Sequence, residues 1–270
     1  MLSQVPILLY HSVSADPPGW IAPFSVHPAT FGAHLDEIVA SGLVPLTMSQ
    51  YVDGLQGTTS MPARPVLITF DDGFADFADQ ALPALTDRRL ASTLYVTTGA
   101  LAGPARQTVL PASSMLSRAD LPGLEAAGVE IGAHSHTHRQ LDRLPPREAA
   151  AELARSGDEL AAVLGHRVRS FAYPHGYYRR QLLCQVAAAG FDSACTVANA
   201  LSGSHEPALA LSRLMVQADT DLRTLTGWLS GAAATRPRHR LLAFGWRQCR
   251  RLTQRQQAHG WLTGSGADRG

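Results

Sequence analysis

The feature that most constrains the fold of this chain is an alternation: short apolar runs, each followed by an amphipathic stretch, recur along most of its length. "VPILLYHSV" (5–13), "PVLITFDDG" (65–73), "ASTLYVTTG" (91–99), "VEIGAHS" (129–135), "VRSFAYPHG" (168–176), "FDSACTV" (191–197) and "LSRLMV" (211–216) read as strands. Helices are expected over 28–42, 77–90, 117–128, 145–165, 179–190 and 221–229. The stretch 145–165 is the clearest, with Pro at its start and Gly at its end. "LVPLT" (43–47) and a short helix around 48–55 precede the second strong strand, and 100–116 reads as a loop. Such repeated units imply a mainly parallel sheet with helices outside it. Seven or so strands in roughly 230 residues fit a closed or nearly closed β/α barrel, with a doubly wound open sheet as the alternative.

Nothing before residue 230 resembles a linker, so 1–230 is expected to be one domain. After Gly231 the composition changes. From 232 to 267 there is no Asp or Glu, while Arg236, Arg238, Arg240, Arg247, Arg250, Arg251 and Arg255 cluster with Phe244, Trp246 and Trp261. This basic C-terminal helix or tail, 231–270, either lies on an anionic membrane surface or is a solvated terminal segment. The hydrophobic content of 45% is enough for a sizeable core. A formal charge of +1 gives no reason to expect nucleic-acid binding. All 23 positive charges are Arg. Cys184, Cys195 and Cys249 form no CxxC pair, which argues against a zinc knuckle or a disulfide framework. The N-terminus lacks a basic n-region and a small-residue cleavage site, and no apolar run approaches the roughly 20 residues a bilayer span needs. A cytoplasmic location, or one peripheral to the inner membrane face, is therefore expected.

Two short stretches carry chemistry. "IGAHSHTHRQL" (131–141) sets His134, His136 and His138 at alternating positions after a strand, the end at which β/α folds build their sites. In a straight strand residues i and i+4 lie roughly 13 Å apart, whereas two zinc ligands each sit about 2 Å from the ion. Either the chain turns after His134 so that His138 joins it, or His134 and His136 bind together from one strand face. Ser135 and Thr137, both turn-compatible, favour the first. The second stretch, "ITFDDGF" (68–74), offers Asp71 and Asp72 at another strand end, with Gly73 allowing a sharp exit. Successive strand side chains point oppositely, so the two carboxylates diverge unless the backbone turns there. One would bind an ion while the other stays beside it as a proton acceptor.

Together, "TFDDG" (69–73) and "HSHTH" (134–138) resemble the polysaccharide deacetylase family, the NodB-homology domain, whose first motifs read T-F-D-D and H-[ST]-x-x-H. "SFAYPHG" (170–176) is similar to its third motif, and the likeness runs from about residue 5 to 230. The resemblance implies a distorted (β/α)7-type barrel. It also implies Asp72, His134 and His138 as ligands of one divalent ion, Asp71 as general base, and the His175 N–H in an oxyanion hole. Zn²⁺ is the expected ion, with Co²⁺, Ni²⁺ and Fe²⁺ as alternatives. His136 is left as a non-ligand lining the cleft or bonding behind it, and Tyr173 and Arg213 complete the oxyanion and substrate candidates.

Two departures stand out. The third-motif Arg is replaced by Ala172, leaving Arg213 or Arg169 as substitutes. The late histidine of the last motif is missing, since His205 and His239 lie in poor contexts. "PILLYHSV" instead puts His11 at the end of the first strand, as in the branch that includes exopolysaccharide (poly-β-1,6-N-acetylglucosamine) deacetylases, which makes His11 the expected general acid. The implied function is metal-dependent removal of N-acetyl groups from N-acetylglucosamine-containing glycans, with the acetylated amino-sugar glycan as partner. Two rivals stand beside it: an HxH amidohydrolase on small amides, with His136 as a ligand, and an inactive carbohydrate-binding relative, suggested by Ala172. Trp20, Tyr177, Tyr178 and Trp228 either stack on sugar rings or simply pack.

Overall fold

A computed structural model describes residues 4–103 and 106–232. The basic segment after Gly231, with His239, Cys249, Trp246 and Trp261, lies outside the described residues. Ten strands run in chain order as β1 (Ile7–Tyr10), β2 (Ser12–Val13), β3 (Ser25–Val26), β4 (Val44–Leu46), β5 (Pro65–Phe70), β6 (Ser92–Val96), β7 (Val129–Ala133), β8 (Ser170–Ala172), β9 (Ser193–Cys195) and β10 (Leu214–Met215). The helices are α1 (Pro28–Ala40), α2 (Met48–Leu55), α3 (Leu82–Asp87), α4 (Leu121–Ala126), α5 (Pro146–Leu164), α6 (Arg180–Ala188) and α7 (Leu222–Leu229).

The main sheet is parallel, in the order β10-β1-β5-β6-β7-β8-β9, with β4 paired to the start of β5. It curls until its edges meet through one segment: Leu211 bridges Cys195 of β9, and three residues on Leu214 pairs with Leu8 of β1. The result is an incompletely closed, distorted barrel, thinnest where β7 and β8 share the single pair Ala133↔Phe171. This is the expected β/α barrel, and the doubly wound alternative does not apply.

Alternation along the strands divides the core in two. Ile7, Leu67, Tyr95, Ala172, Cys195 and Leu211 fill the barrel interior, where Met48, Tyr51 and Val52 of α2 join them. Their neighbours Leu8, Tyr10, Ile68, Phe70, Leu94 and Ile131 face outward against apolar helix residues such as Phe31, Leu35, Leu85 and Leu153. Helix α2 plugs the N-terminal end of the barrel. Thr47 caps it in a reciprocal box with Gln50, Met48 N–H donates to Thr93 Oγ1 at 2.9 Å, and Ser49 N–H donates to Glu130 Oε2 at 2.8 Å. The opposite, C-terminal end is left for the site.

Several elements are shorter than their sequence pattern suggests. The first strand breaks at His11, and Ser12–Val13 turns away to pair with β3. The helix expected over 77–90 begins as a π-turn, Phe77–Ala81, before α3, because Pro83 has no N–H to continue an α-helical ladder. The stretch 117–120 forms a turn in which Asp120 accepts from the Ser117 N–H and hydroxyl, so α4 starts only at Leu121. No described helix is long and apolar enough to cross a membrane.

Candidate active site

The two carboxylates of "FDDG" converge because the backbone turns between them. Asp72 adopts a left-handed φ of 76°, Gly73 follows at 90°, and the Gly73 N–H donates to the Asp71 carbonyl. The histidine loop bends in the same way. Ser135 and His138 take φ of 63° and 64°, and the His138 N–H donates to Ser135 Oγ at 3.0 Å, so His138 swings back beside His134 with ring centroids 5.0 Å apart. Of six described non-glycine residues with positive φ, four (Asp72, Ser135, His138 and His175) belong to this site. Such conformations cost on the order of 1–3 kcal/mol each and persist where surrounding structure enforces them.

Much of that enforcement comes from Glu152 on α5, which the sequence did not single out. Its carboxylate is buried and accepts from the His136 N–H (3.0 Å), the Thr137 N–H (2.8 Å) and the Thr137 hydroxyl (2.6 Å). On the other side, the Gly99 N–H donates to the His136 carbonyl, at a position where any side chain would collide with the Gln107 and His136 carbonyls.

One ligand-type atom each from Asp72, His134 and His138 lies within 4.8 Å of the others. Asp72 Oδ1 is 3.1 Å from His138 Nε2 and 3.5 Å from His134 Nε2, yet it is buried and satisfies no hydrogen-bond geometry. His134 Nδ1 lies 2.8 Å from the Ala172 carbonyl, which fixes the proton on Nδ1 and turns the Nε2 lone pair towards Asp72. Burial pushes the His134 pKa down to about 4 despite the carboxylates, so the ring is neutral at pH 7. Burial alone would raise Asp72, but His138, His11 and His134 hold it well below the usual carboxylate range. A buried carboxylate oxygen without a hydrogen bond, facing one nitrogen from each of two imidazoles, is a donor set that a divalent ion such as zinc takes.

Asp71 stands beside this cluster, with Oδ2 3.7 Å from His134 Nε2. Arg213, fully buried just before β10, grips it bidentately, with Nη1 to Oδ1 and Nη2 to Oδ2 both 2.7 Å. The same guanidinium donates to the Thr196 carbonyl and Thr69 Oγ1 and lies over the Tyr95 ring at 5.5 Å. Burial works to raise the Asp71 pKa, but Arg213 and His134 bring it below its ordinary value. Arg213 thus supplies the guanidinium absent at Ala172. Arg169 does not: it bridges Asp53 and Asp192 elsewhere.

The β1–β5 register pairs Tyr10 with Phe70, which puts His11 alongside Asp71. Burial lowers the His11 pKa while Asp72 and Asp71 oppose that shift, and its Nδ1 is buried with no hydrogen-bond partner among the described residues. His175, at φ 59°, packs its ring edge-on to His138 with centroids 4.7 Å apart.

Two candidates are corrected, and a third is narrowed. His136 takes the second of its two expected places, bonding behind the cleft: its Nδ1 is 2.8 Å from Thr98 Oγ1 and its Nε2 3.3 Å from Gln107 Oε1, which removes the HxH arrangement. The Tyr173 hydroxyl is committed to the Leu209 carbonyl at 3.0 Å and its N–H to the Cys195 carbonyl, so neither serves as an oxyanion donor. Arg213, fully buried, is spent on Asp71 and is not open to a substrate. Among the aromatics, Trp228 packs on the core and Trp20 packs on Phe74, while Tyr178 is exposed and stacks on Tyr173. Cys184 is exposed and Cys195 buried, both as free thiols.

The parallel barrel thus gathers, above its C-terminal strand ends, a carboxylate and two imidazoles that could hold a metal ion. The chain belongs to the polysaccharide deacetylase family, whose sequence profile matches residues 58–194. YxkH of Bacillus subtilis, a protein assigned to the same family, is 24% identical over 214 residues, 79% of this chain and 72% of its own. The fold matches the Streptococcus pyogenes deacetylase PplD, solved with acetate, at a TM-score of 0.73 and 23% identity, covering 83% of this chain and 97% of that one. It also matches IcaB from Ammonifex degensii at 0.71 and 24%, covering 84% and 97%. The profile match spans Asp71, Asp72 and the histidine loop but includes neither His11 nor Arg213.

Proposed function

We propose that this chain is a metal-dependent N-deacetylase of glycans containing N-acetylglucosamine, with residues 1–230 as its catalytic unit. The observation that carries this reading is the orphaned Asp72 oxygen facing His134 and His138 next to an aspartate locked by Arg213. Asp72, His134 and His138 would hold the ion, which, when bound, supplies Lewis-acid activation of water and of the acetyl carbonyl.

The remaining work falls to the protein. Asp71, kept ionised and oriented by Arg213, accepts the proton of the attacking water at the carboxylate that faces His134. The turn at His175, against the His138 ring, offers a backbone N–H to the developing oxyanion. His11, alongside Asp71, delivers a proton to the departing amine, and the two carboxylates partly offset the burial that lowers its pKa. The acid supplied by the first strand favours the exopolysaccharide-deacetylase branch.

The test is acetate release from N-acetylglucosamine oligomers by zinc- or cobalt-loaded protein, read together with metal content. Asp71→Asn should retain the ion and lose turnover by about 10²–10⁴-fold, and His11→Ala should lower kcat with metal unchanged. Loss of the ion from Asp71→Asn, with activity restored by added metal, would contradict the assignment of the base.

A further inference from the structure

A second concavity borders this site. A pocket of about 400 Å³ opens between the segment after β1 and the segment after Asp72–Gly73. Its lining residues Ser12 and Phe74 follow His11 and Asp72 in the chain by one and two positions. Phe74 and Ile21 form an apolar wall that continues through Phe24 to the His11 ring, 5.5 Å away.

The rest of the lining is polar and one-signed. Asp16, Asp76 and Asp79 contribute carboxylates, and Ser14, Gln80 and Ser114 contribute hydroxyl and amide groups. No Arg or His lines the pocket, and none of these carboxylates is paired with a cation among the described residues. Asp76 is held from within: the Ser12 hydroxyl donates to its Oδ2 at 2.5 Å and also contacts Ser25 Oγ, while its Oδ1 is buried with no partner among the described residues. Burial raises the Asp76 pKa above its ordinary value, as expected for a carboxylate without a counter-charge.

An apolar wall facing hydroxyl and carboxylate acceptors suits an amphipathic ring whose hydroxyls donate hydrogen bonds, and the volume falls in the range of small-ligand sites, about 300–1,000 Å³. A ligand carboxylate or phosphate, in contrast, would enter a pocket already holding uncompensated negative charge.

We propose that this pocket holds a neighbouring sugar of the glycan chain and restricts the substrate to neutral or amine-bearing glycans, excluding those that carry carboxylate or phosphate on that sugar. The inference rests on the deacetylase reading of the adjoining site. It also implies that a chain already partly freed of acetyl groups, and so carrying ammonium groups, remains a good ligand.

The test compares two oligosaccharides of equal length, one of N-acetylglucosamine alone and one with a carboxylate-bearing sugar at alternate positions. Wild-type protein is expected to favour the neutral oligomer by about tenfold or more in kcat/KM, and Asp16→Lys/Asp79→Lys, both at exposed positions, should narrow that preference to about threefold or less through KM. Equal use of both oligomers by the wild type, or an unchanged preference in the folded variant, would overturn the proposal. Ligand-observed NMR of the metal-free protein with the same oligomers reads the pocket independently of turnover. If no acetate is released from either oligomer while the neutral one still binds selectively and the variant loses that selectivity, the deacetylase reading fails and the pocket stands.

Discussion

At the scale of single residues, the site depends on keeping opposite charges in contact away from water. Removing Arg213 would strand the Asp71 carboxylate in the barrel, and breaking such a buried pair costs about 3–5 kcal/mol. Arg213→Met should therefore lower the melting temperature sharply. Arg213→Lys, which keeps the charge but cannot grip both Asp71 oxygens, should fold, retain metal and lose acetate release. Protonation has a definite sign as well. His134 falls from 6.5 to about 4 on folding, and burial also lowers His34, so the unfolded chain binds more protons than the native one in this window. The depressed Asp71 and Asp72 act in the same direction at lower pH. The metal-free protein should thus be most stable above pH 6.5 and weaken progressively towards pH 4, as equilibrium denaturation at several pH values would show. The cluster of Asp72, His134 and His138 was legible in the sequence because each residue sits in a short motif at a strand end. Arg213 was legible only as one of two possible braces, because its meeting with Asp71 across 142 positions leaves no local pattern, and Glu152 was not legible at all, being one of several acids on an amphipathic helix.

At the scale of elements, a long helix braces a strained loop. The loop carrying His134, His136 and His138 is pinned to α5 through one carboxylate, so the conformation of His138 depends on a residue that does not touch the ligand cluster. Glu152→Ala should weaken zinc affinity by about 10–100-fold, the range for groups that orient metal ligands from behind. Chelator competition measures this directly, and circular dichroism should show the helical content unchanged. Element identity was readable because periodicity switches cleanly between strand and helix. Boundaries were less so. Pro83, the Ser117–Asp120 turn and the break at His11 each replace regular hydrogen bonds with local ones that apolar patterning does not record.

At the scale of the whole molecule, the barrel is arranged so that its plugged end stabilises and its open end works. Helix α2 and Glu130 seal the N-terminal mouth, and the segments after β1, β5, β7 and β8 assemble the site at the other. Ion binding should therefore add to the stability of the entire unit. At a free zinc concentration 100 times Kd the gain is about 2.7 kcal/mol, visible as a rise in melting temperature that a chelator reverses.

The brace on Asp71 arrives with the same segment that joins the barrel's two edges. Arg213 reaches the Asp71 carboxylate from the stretch whose Leu211 and Leu214 meet β9 and β1, so the orientation of that carboxylate is tied to the closing of the sheet. On the deacetylase reading proposed above, closing the barrel and orienting the base are therefore one event.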